Sequence, residues 1–440
     1  MKLKLTITLL LFSAVLNAQE VTKLTLAQAI EFALQNNTNV KTSKADEEIA
    51  QQKVNELIGF GTPQINGEAT LNDFVKIPVT VLPADFEESF GSRTVQFGTQ
   101  YTATAGISAT QLLFDGSYIA GLQASNTFQD LSIKKTSQTK IETAVAVGKA
   151  YYGVLVSIER LTLVNKNVER LNKLRDDIKV TYETGLAEKL DFDRVDLTYN
   201  NMKVQQINTE RMVQNSFMLL KFQMGMALQT RIELTDKLDL SKLENIALPD
   251  SADVTKRIEY SILQTSRRLQ ELDLKRYKSA YYPSLFAFGN LSANAYRDEF
   301  NILSTEQPWY PTAVIGLTLK VPIWDGLQRS SRIKQSKMEL QKVDYAKENL
   351  EHAIDLEYFN AKTNLENNLA LLETIKKNRD IANEIVRASK IKYDNGIGSS
   401  LDVVDAESSL KEADTNYFAA LYAAIISKID LEKALGNLTY

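Results

Sequence analysis

The chain has 440 residues, 44% of them hydrophobic, with a formal net charge of −4 and a pI near 5.5. That balance, with no basic patch, excludes non-specific nucleic-acid binding, and no nucleic-acid partner is expected. A mean hydropathy of −0.22 argues against a polytopic helical membrane protein, and no internal window approaches the roughly 18–20 apolar residues of a spanning helix.

Cysteine is absent and His352 is the single histidine. Disulfides, thiolate metal sites and a lipid-bearing N-terminal cysteine are therefore ruled out. No phosphate loop, nucleophile elbow or paired-histidine motif occurs, so no enzyme, cofactor or metal site is expected.

In chain order, Lys2 and Lys4 precede the apolar residues 5–16 and then "LNAQ" at 16–19. This pattern predicts a secretory signal peptide over 1–18, cut after Ala18, with a buried N-terminal helix as the alternative. A helical pattern at 30–58 runs to "GTPQI". "PQINGEATLN" (63–72) then alternates, with Ile65, Gly67, Ala69 and Leu71 against Gln64, Asn66, Glu68 and Thr70. After a long connection, "VQFGTQYTATAGISA" (95–109) alternates likewise, with Tyr101, Ala103, Ala105 and Ile107 on its apolar side. That is the period-two signature of a strand.

"LLFDG" (112–116) closes the strand region, and residues from about 119 to 181 run without proline. At 1.5 Å per residue this predicts a helix of roughly 95 Å. Its stripe, Val145, Gly148, Tyr152 and Leu155 onward, implies neighbours along the whole length. "TYETGLAEKLDFDRVD" (181–196) marks a turn and a new helix that ends at Gly225.

The same order then recurs. A helix over 254–280 runs to "YYPSL", strand-like segments follow at 284–296 and 313–323, and "PIWDG" (322–326) closes them. A second long helix carries the stripe Leu350, Ile354, Ala361 and Leu365. "KYDNGIGSSLDVVDAE" (392–407) repeats the turn, aligning Tyr182 with Tyr393, Gly185 with Gly396, and Leu190-Asp191 with Leu401-Asp402. The simplest reading is a tandem duplication, with units over 19–230 and 255–440 joined by a linker at 231–254.

Strands of about ten residues, apolar on one side, suit a transmembrane β-barrel; a soluble sandwich is the alternative. Four strands cannot close a membrane barrel, and open edges in lipid cost several kcal/mol per unpaired backbone group. A ring of identical chains is the expected solution.

These features together resemble the TolC-like outer-membrane efflux family, across nearly the whole mature chain. The resemblance rests on the duplication, "PQI" and "PSL" before strands, "FDG" and "WDG" after them, and the phrases "YETGLAEKLD" and "YDNGIGSSLDVVDAE". It implies an α+β membrane protein: a homotrimer with a 12-stranded outer-membrane barrel embedded in lipid and a long periplasmic α-helical barrel. It also implies a passive exit duct that works with a periplasmic adaptor (membrane fusion protein) and an inner-membrane RND, ABC or MFS pump.

The resemblance further implies a periplasmic gate. Asp402 and Asp405 match two aspartates that form acidic rings. Tyr393 matches a tyrosine in a closing hydrogen-bond link, with Asp191 as partner. The family's closing arginine falls at Gly398, which leaves the ionic part of the lock open, with Lys189 and Arg194 as candidate substitutes.

Asp402 and Asp405 do share one helix face by their spacing. Asp402 also fits the third position of a helix capped by Ser399, so cap and gate both stand as readings. Gly185 and Gly396 read as turn glycines with positive φ. The apolar Leu186 and Ile397 beside them suit an adaptor-docking tip. A secreted structural coiled-coil protein without a pore is the competing class.

Overall fold

The computed structural model describes residues 22–83, 85, 91, 93–239, 249, 251–304, 306–438 and 440. The expected signal peptide (1–18) and most of the linker segment 240–250 lie outside the described residues. The elements run β1 (Thr22–Leu24), α1 (Leu26–Asn36), α2 (Thr38–Phe60), β2 (Gln64–Asp73), β3 (Val79–Val81), β4 (Thr94–Gln96), β5 (Tyr101–Phe114), α3 (Gly116–Glu183) and α4 (Lys189–Met224). They continue with β6 (Ile232–Leu234), α5 (Ile258–Ser279), β7 (Ser284–Arg297), β8 (Tyr310–Lys320), α6 (Gln328–Asp394) and α7 (Ser400–Ala434).

Two expectations shift in detail. The helical pattern over 30–58 is broken at Asn37, which is extended (φ −60°, ψ 134°). Its side chain takes both ends of the break, donating to the Gln223 carbonyl at 2.7 Å and accepting from the Asn39 amide at 2.8 Å. The strand expected over 95–109 starts at Tyr101 instead, because Gly98 at φ +122° turns the chain out of extended geometry.

The chain divides into two compact units. One, from residues 48–131 and 264–345, holds the antiparallel sheet β2-β5-β7-β8. Its register sorts most of the side chains, with Gln111 on the apolar face and Leu112, Phe286, Phe288 and Val314 on the polar face among the exceptions. Ile65 pairs with Ala109, Ile107 with Leu291, and Gly289 with Ile315, so these residues share a face. That face is apolar from Leu71, Ala103 and Ala295 to Leu285 and Leu319. The opposite face carries Asn66, Glu68, Thr70, Thr104, Ser108, Asn290, Ser292, Asn294 and Thr312.

A polar ladder crosses the second face. Thr104 donates to Asn294 Oδ1 at 2.9 Å, and Asn294 Nδ2 donates to Thr312 Oγ1 at 3.3 Å. The outer edges of β2 and β8 have no strand partner among the described residues. Aromatic residues mark both ends of the sheet: Tyr101, Tyr296 and Tyr310 at one, Phe114, Tyr282 and Trp324 at the other.

The other unit, from residues 22–47, 132–263 and 346–440, is helical apart from the small parallel pair β1–β6. Tyr151 of α3 is fully buried at its centre. Its hydroxyl reaches Asp236 Oδ2 at 2.9 Å and the Leu24 carbonyl at 3.1 Å, and burial beside that carboxylate pushes the phenol pKa up.

The hydropathy of α3 corrects one expectation. This helix contains an 18-residue window of mean hydropathy 1.3, long and apolar enough to cross a membrane, yet 61% of that window is buried inside the protein. Val147, Ala150, Val154 and Leu155 explain it, because they form core contacts with α1 and α4.

Candidate functional site

The two turns singled out in the sequence are built alike. Gly185 and Gly396 take φ +78° and +74°. In the first turn the Gly185 amide donates to the Tyr182 carbonyl and the Leu186 amide to the Thr181 carbonyl, both at 2.9 Å. In the second, Gly396 donates to Tyr393 at 2.9 Å and Ile397 to Lys392 at 3.0 Å. This is the Schellman closure of a helix, which needs a left-handed residue at the glycine position.

In such a closure the following apolar residue commonly folds back onto the helix. Here Leu186 is 82% exposed and Ile397 79% exposed. Two large aliphatic side chains therefore stand out from the ends of the two hairpins.

The hairpins meet just behind these turns. Leu171, Leu174 and Ile178 of α3 pack with Val195 and Met202 of α4 and Val403 of α7. The half-buried Tyr393 ring lies against the same cluster. Burial raises the Tyr393 phenol pKa first, and the nearby Asp191 charge adds to it.

Asp191 itself is held by two groups. The Glu188 amide donates to its Oδ2 at 3.4 Å, closing the first turn of α4. The hydroxyl of buried Ser400 donates to its Oδ1. The hydrogen bond that Asp191 receives from the second hairpin, among the described residues, thus comes from Ser400, the first residue of α7. Tyr393 sits beside the carboxylate and is absorbed by apolar packing.

Asp402 completes the capping box of α7 from its third position, with Ser399 as the N-cap. The Ser399 amide donates to its Oδ2 at 3.0 Å, and its own amide donates to Ser399 Oγ at 3.1 Å. The Ser399 amide, the Ser399 hydroxyl donating to the same Oδ2 at 2.8 Å, and Lys392 nearby hold its pKa below the usual carboxylate value. The carboxylate is exposed as well as capped, so both readings of Asp402 remain compatible with its position. Asp405, one turn on, is exposed, and its carboxylate has no hydrogen bond or ion pair among the described residues.

Gly398 explains the missing arginine. A Cβ there would lie 3.0 Å from Lys392 Cβ and 3.1 Å from the Tyr393 nitrogen. The tight turn leaves little room for a side chain. Neither Lys189 nor Arg194 forms an ion pair among the described residues.

Other charged residues bind α7 to its neighbours, and the sequence reading did not single them out. Arg170 of α3 grips Glu407 through two bonds of 2.8 and 2.7 Å, with Glu407 only 3% exposed. Seven residues along, buried Asp414 accepts from Asn167 at 3.1 Å and from Arg379 of α6 at 2.8 Å. The signal was available: Glu407 and Asp414 share a face with Leu410 and Phe418, and a carboxylate in an apolar stripe requires a partner.

The sheet with one apolar face, the long helical hairpins and the paired tips fit a membrane duct, and no group of side chains that could hold a metal ion occurs among the described residues. The sequence profile of the outer membrane efflux protein family matches residues 29–225 and 262–437. The chain belongs to that family, whose members are ducts of the Gram-negative outer membrane and not enzymes.

Outer membrane protein TolC of Salmonella enteritidis is 22% identical over 424 residues, covering 94% of this chain and 82% of that protein. Among solved structures, CusC shares the fold with a TM-score of 0.75 at 14% identity, covering 93% of this chain and 91% of that one. The CmeC outer membrane channel of Campylobacter jejuni gives 0.74 at 16% identity, covering 93% and 85%.

Proposed function

We propose that three copies of this chain close a 12-stranded barrel in the outer membrane and conduct substrates outward for an inner-membrane pump. One observation carries this reading: the four-stranded sheet has an apolar face and two unpaired edges. In lipid those edges must pair, and edge β8 of one copy runs antiparallel to edge β2 of the next. The charge-free apolar band on β7 runs from Leu285 to Ala295, about 34 Å along the strand. Tilted by about 40°, it covers roughly 25 Å of membrane, the height of an outer-membrane apolar band.

In this reading the apolar face meets lipid and the polar face lines the lumen. The paired tips, with Leu186 and Ile397 exposed beside Gly185 and Gly396, dock a periplasmic adaptor. The adaptor in turn connects to an RND, ABC or MFS pump that supplies the energy. Asp402 and Asp405 form the acidic ring of the gate, and Asp191 and Tyr393 belong to its closing contacts. The tandem units 19–230 and 255–440 each contribute two strands and one hairpin, with 231–254 as linker, after removal of a signal peptide at 1–18.

The test is assembly and conductance together. Protein from outer-membrane fractions should run as a heat-dissociable trimer and give small cation-selective currents in planar bilayers. A monomer without conductance would replace this reading by the pore-less coiled-coil one.

A further inference from the structure

We propose that Glu68 is a second charge-selective element of the duct, set in the barrel wall and independent of the aspartates at the tips. The inference rests on the trimeric barrel reading and assigns a role to one side chain of its lumen.

Register supplies the argument. Glu68 pairs with Gly106, Gly106 with Ser292, and Ser292 with Thr312, so one row crosses the whole polar face. Glu68 is midway along β2 (Gln64–Asp73) and exposed. Its row-mates are among the smallest residues of the sheet. Gly106 has no space for more, since a Cβ there would lie 2.9 Å from Ser292 Cβ. The carboxylate therefore stands above low walls, where a passing solute meets it first.

Nothing described neutralises it. Its one contact is the Thr70 hydroxyl, which donates at 3.4 Å. On the polar face of the four strands only one other charge occurs, Lys320. Lys320 lies eight residues beyond Thr312 along β8, roughly 27 Å away at strand spacing. Its ammonium rests over the Phe286 ring at 5.2 Å, drawn onto the wall. Hydroxyls, amides and glycines make up most of the remainder. The separation from Lys320 exceeds a Debye length of about 8–10 Å, so three copies of one carboxylate set the sign of the potential at this level of the wall. Cations and cationic substrates gain from it, and anions are repelled.

The absence of cysteine gives a direct test. Trimers carrying Glu68→Gln would be held in planar bilayers under a KCl gradient, beside wild-type and the Asp402→Asn/Asp405→Asn variant. The expected result is a reversal potential shifted toward zero in Glu68→Gln, further shifted when the two changes are combined, and shifted toward anion preference in Glu68→Lys. In parallel, Glu68→Cys and Ala69→Cys would be treated with a membrane-impermeant cationic thiosulfonate. Modification should change the current of Glu68→Cys and leave that of Ala69→Cys unaltered.

An unchanged reversal potential in conducting Glu68→Gln trimers overturns the proposal, as does a Glu68→Cys variant whose thiol the reagent cannot reach. If Glu68→Gln does not assemble, the two cysteine variants decide alone. If wild-type protein forms neither trimers nor currents, the barrel reading itself has failed, and this outcome is distinct from the other two.

Discussion

The Ser400 hydroxyl donates to the Asp191 carboxylate, and this contact joins the tip of the second helical hairpin to that of the first. A hydrogen bond to a charged group is worth about 1.5–3 kcal/mol. The half-buried position of Asp191 places this one near the lower end. Ser400→Ala should therefore favour separation of the hairpins by about tenfold, seen as higher single-channel conductance. Tyr393→Phe should change conductance less, because its hydroxyl makes no hydrogen bond among the described residues. The opposite ranking would restore the tyrosine as the principal closing contact.

The Arg170–Glu407 pair ties α3 to α7 where Glu407 is nearly inaccessible. Removing one partner of a fully buried pair costs about 3–5 kcal/mol, because a desolvated charge is left behind. Arg170 remains about a third exposed, so Arg170→Met should cost less, about 2–3 kcal/mol. Replacing both residues, as Arg170→Met with Glu407→Leu, should recover much of the loss. Thermal unfolding of the two variants checks the order, and a double variant less stable than Arg170→Met alone would contradict it.

How much of this was legible in the sequence depends on the range of the interactions. Alternation at 63–72 fixed both the strand and its apolar face, because side-chain direction in a strand depends only on position parity. The turn glycines were equally readable, since left-handed backbone is a local demand. Asn37 and Gly98 were not, because neither residue type in that context forbids continuation; tertiary partners or a turn decide it. The Ser400 hydrogen bond to Asp191 is a longer-range matter. It depends on how closely α4 approaches the start of α7, and no spacing within either segment records that distance.

Glycine substitutions separate conformational cost from crowding. At Gly185 and Gly396 a Cβ would meet nothing within 4 Å, so Gly→Ala there should cost about 1–2 kcal/mol from the left-handed backbone alone. Gly225 takes a similar φ of +69°, but its Cβ would lie 2.6 Å from the Asn36 carbonyl oxygen. Gly225→Ala should therefore be clearly more destabilising than Gly185→Ala. Equal melting temperatures for the two variants would show that Asn36 yields without cost.

The Asp402 cap has a defined pH response. Its native pKa is lowered, chiefly by the Ser399 amide and hydroxyl. The stability it contributes is present above the unfolded value, about 3.9, and is lost as pH falls through the depressed native value. After correction for intrinsic rates, amide exchange over residues 399–403 should be slow at pH 5 and accelerate only below pH ~3.9. In Asp402→Asn this acid-induced step should disappear. A step centred well above that value would mean that the cap does not hold the carboxylate ionised.

Leu186 and Ile397 follow the two Schellman glycines and remain exposed, although such residues commonly pack back onto their helix. Leaving both in water is unfavourable by about 1.5–3 kcal/mol per side chain relative to burial, which a docked adaptor would recover. Leu186→Asp or Ile397→Asp should abolish cross-linking to the adaptor while trimer yield and thermal stability stay unchanged, because neither side chain supports the fold. Leu186→Met, which keeps the apolar surface, should retain cross-linking. If the aspartate variants cross-link as well as wild type, the adaptor grips the hairpins elsewhere. Loss of the trimer instead would assign these side chains to contacts between subunits.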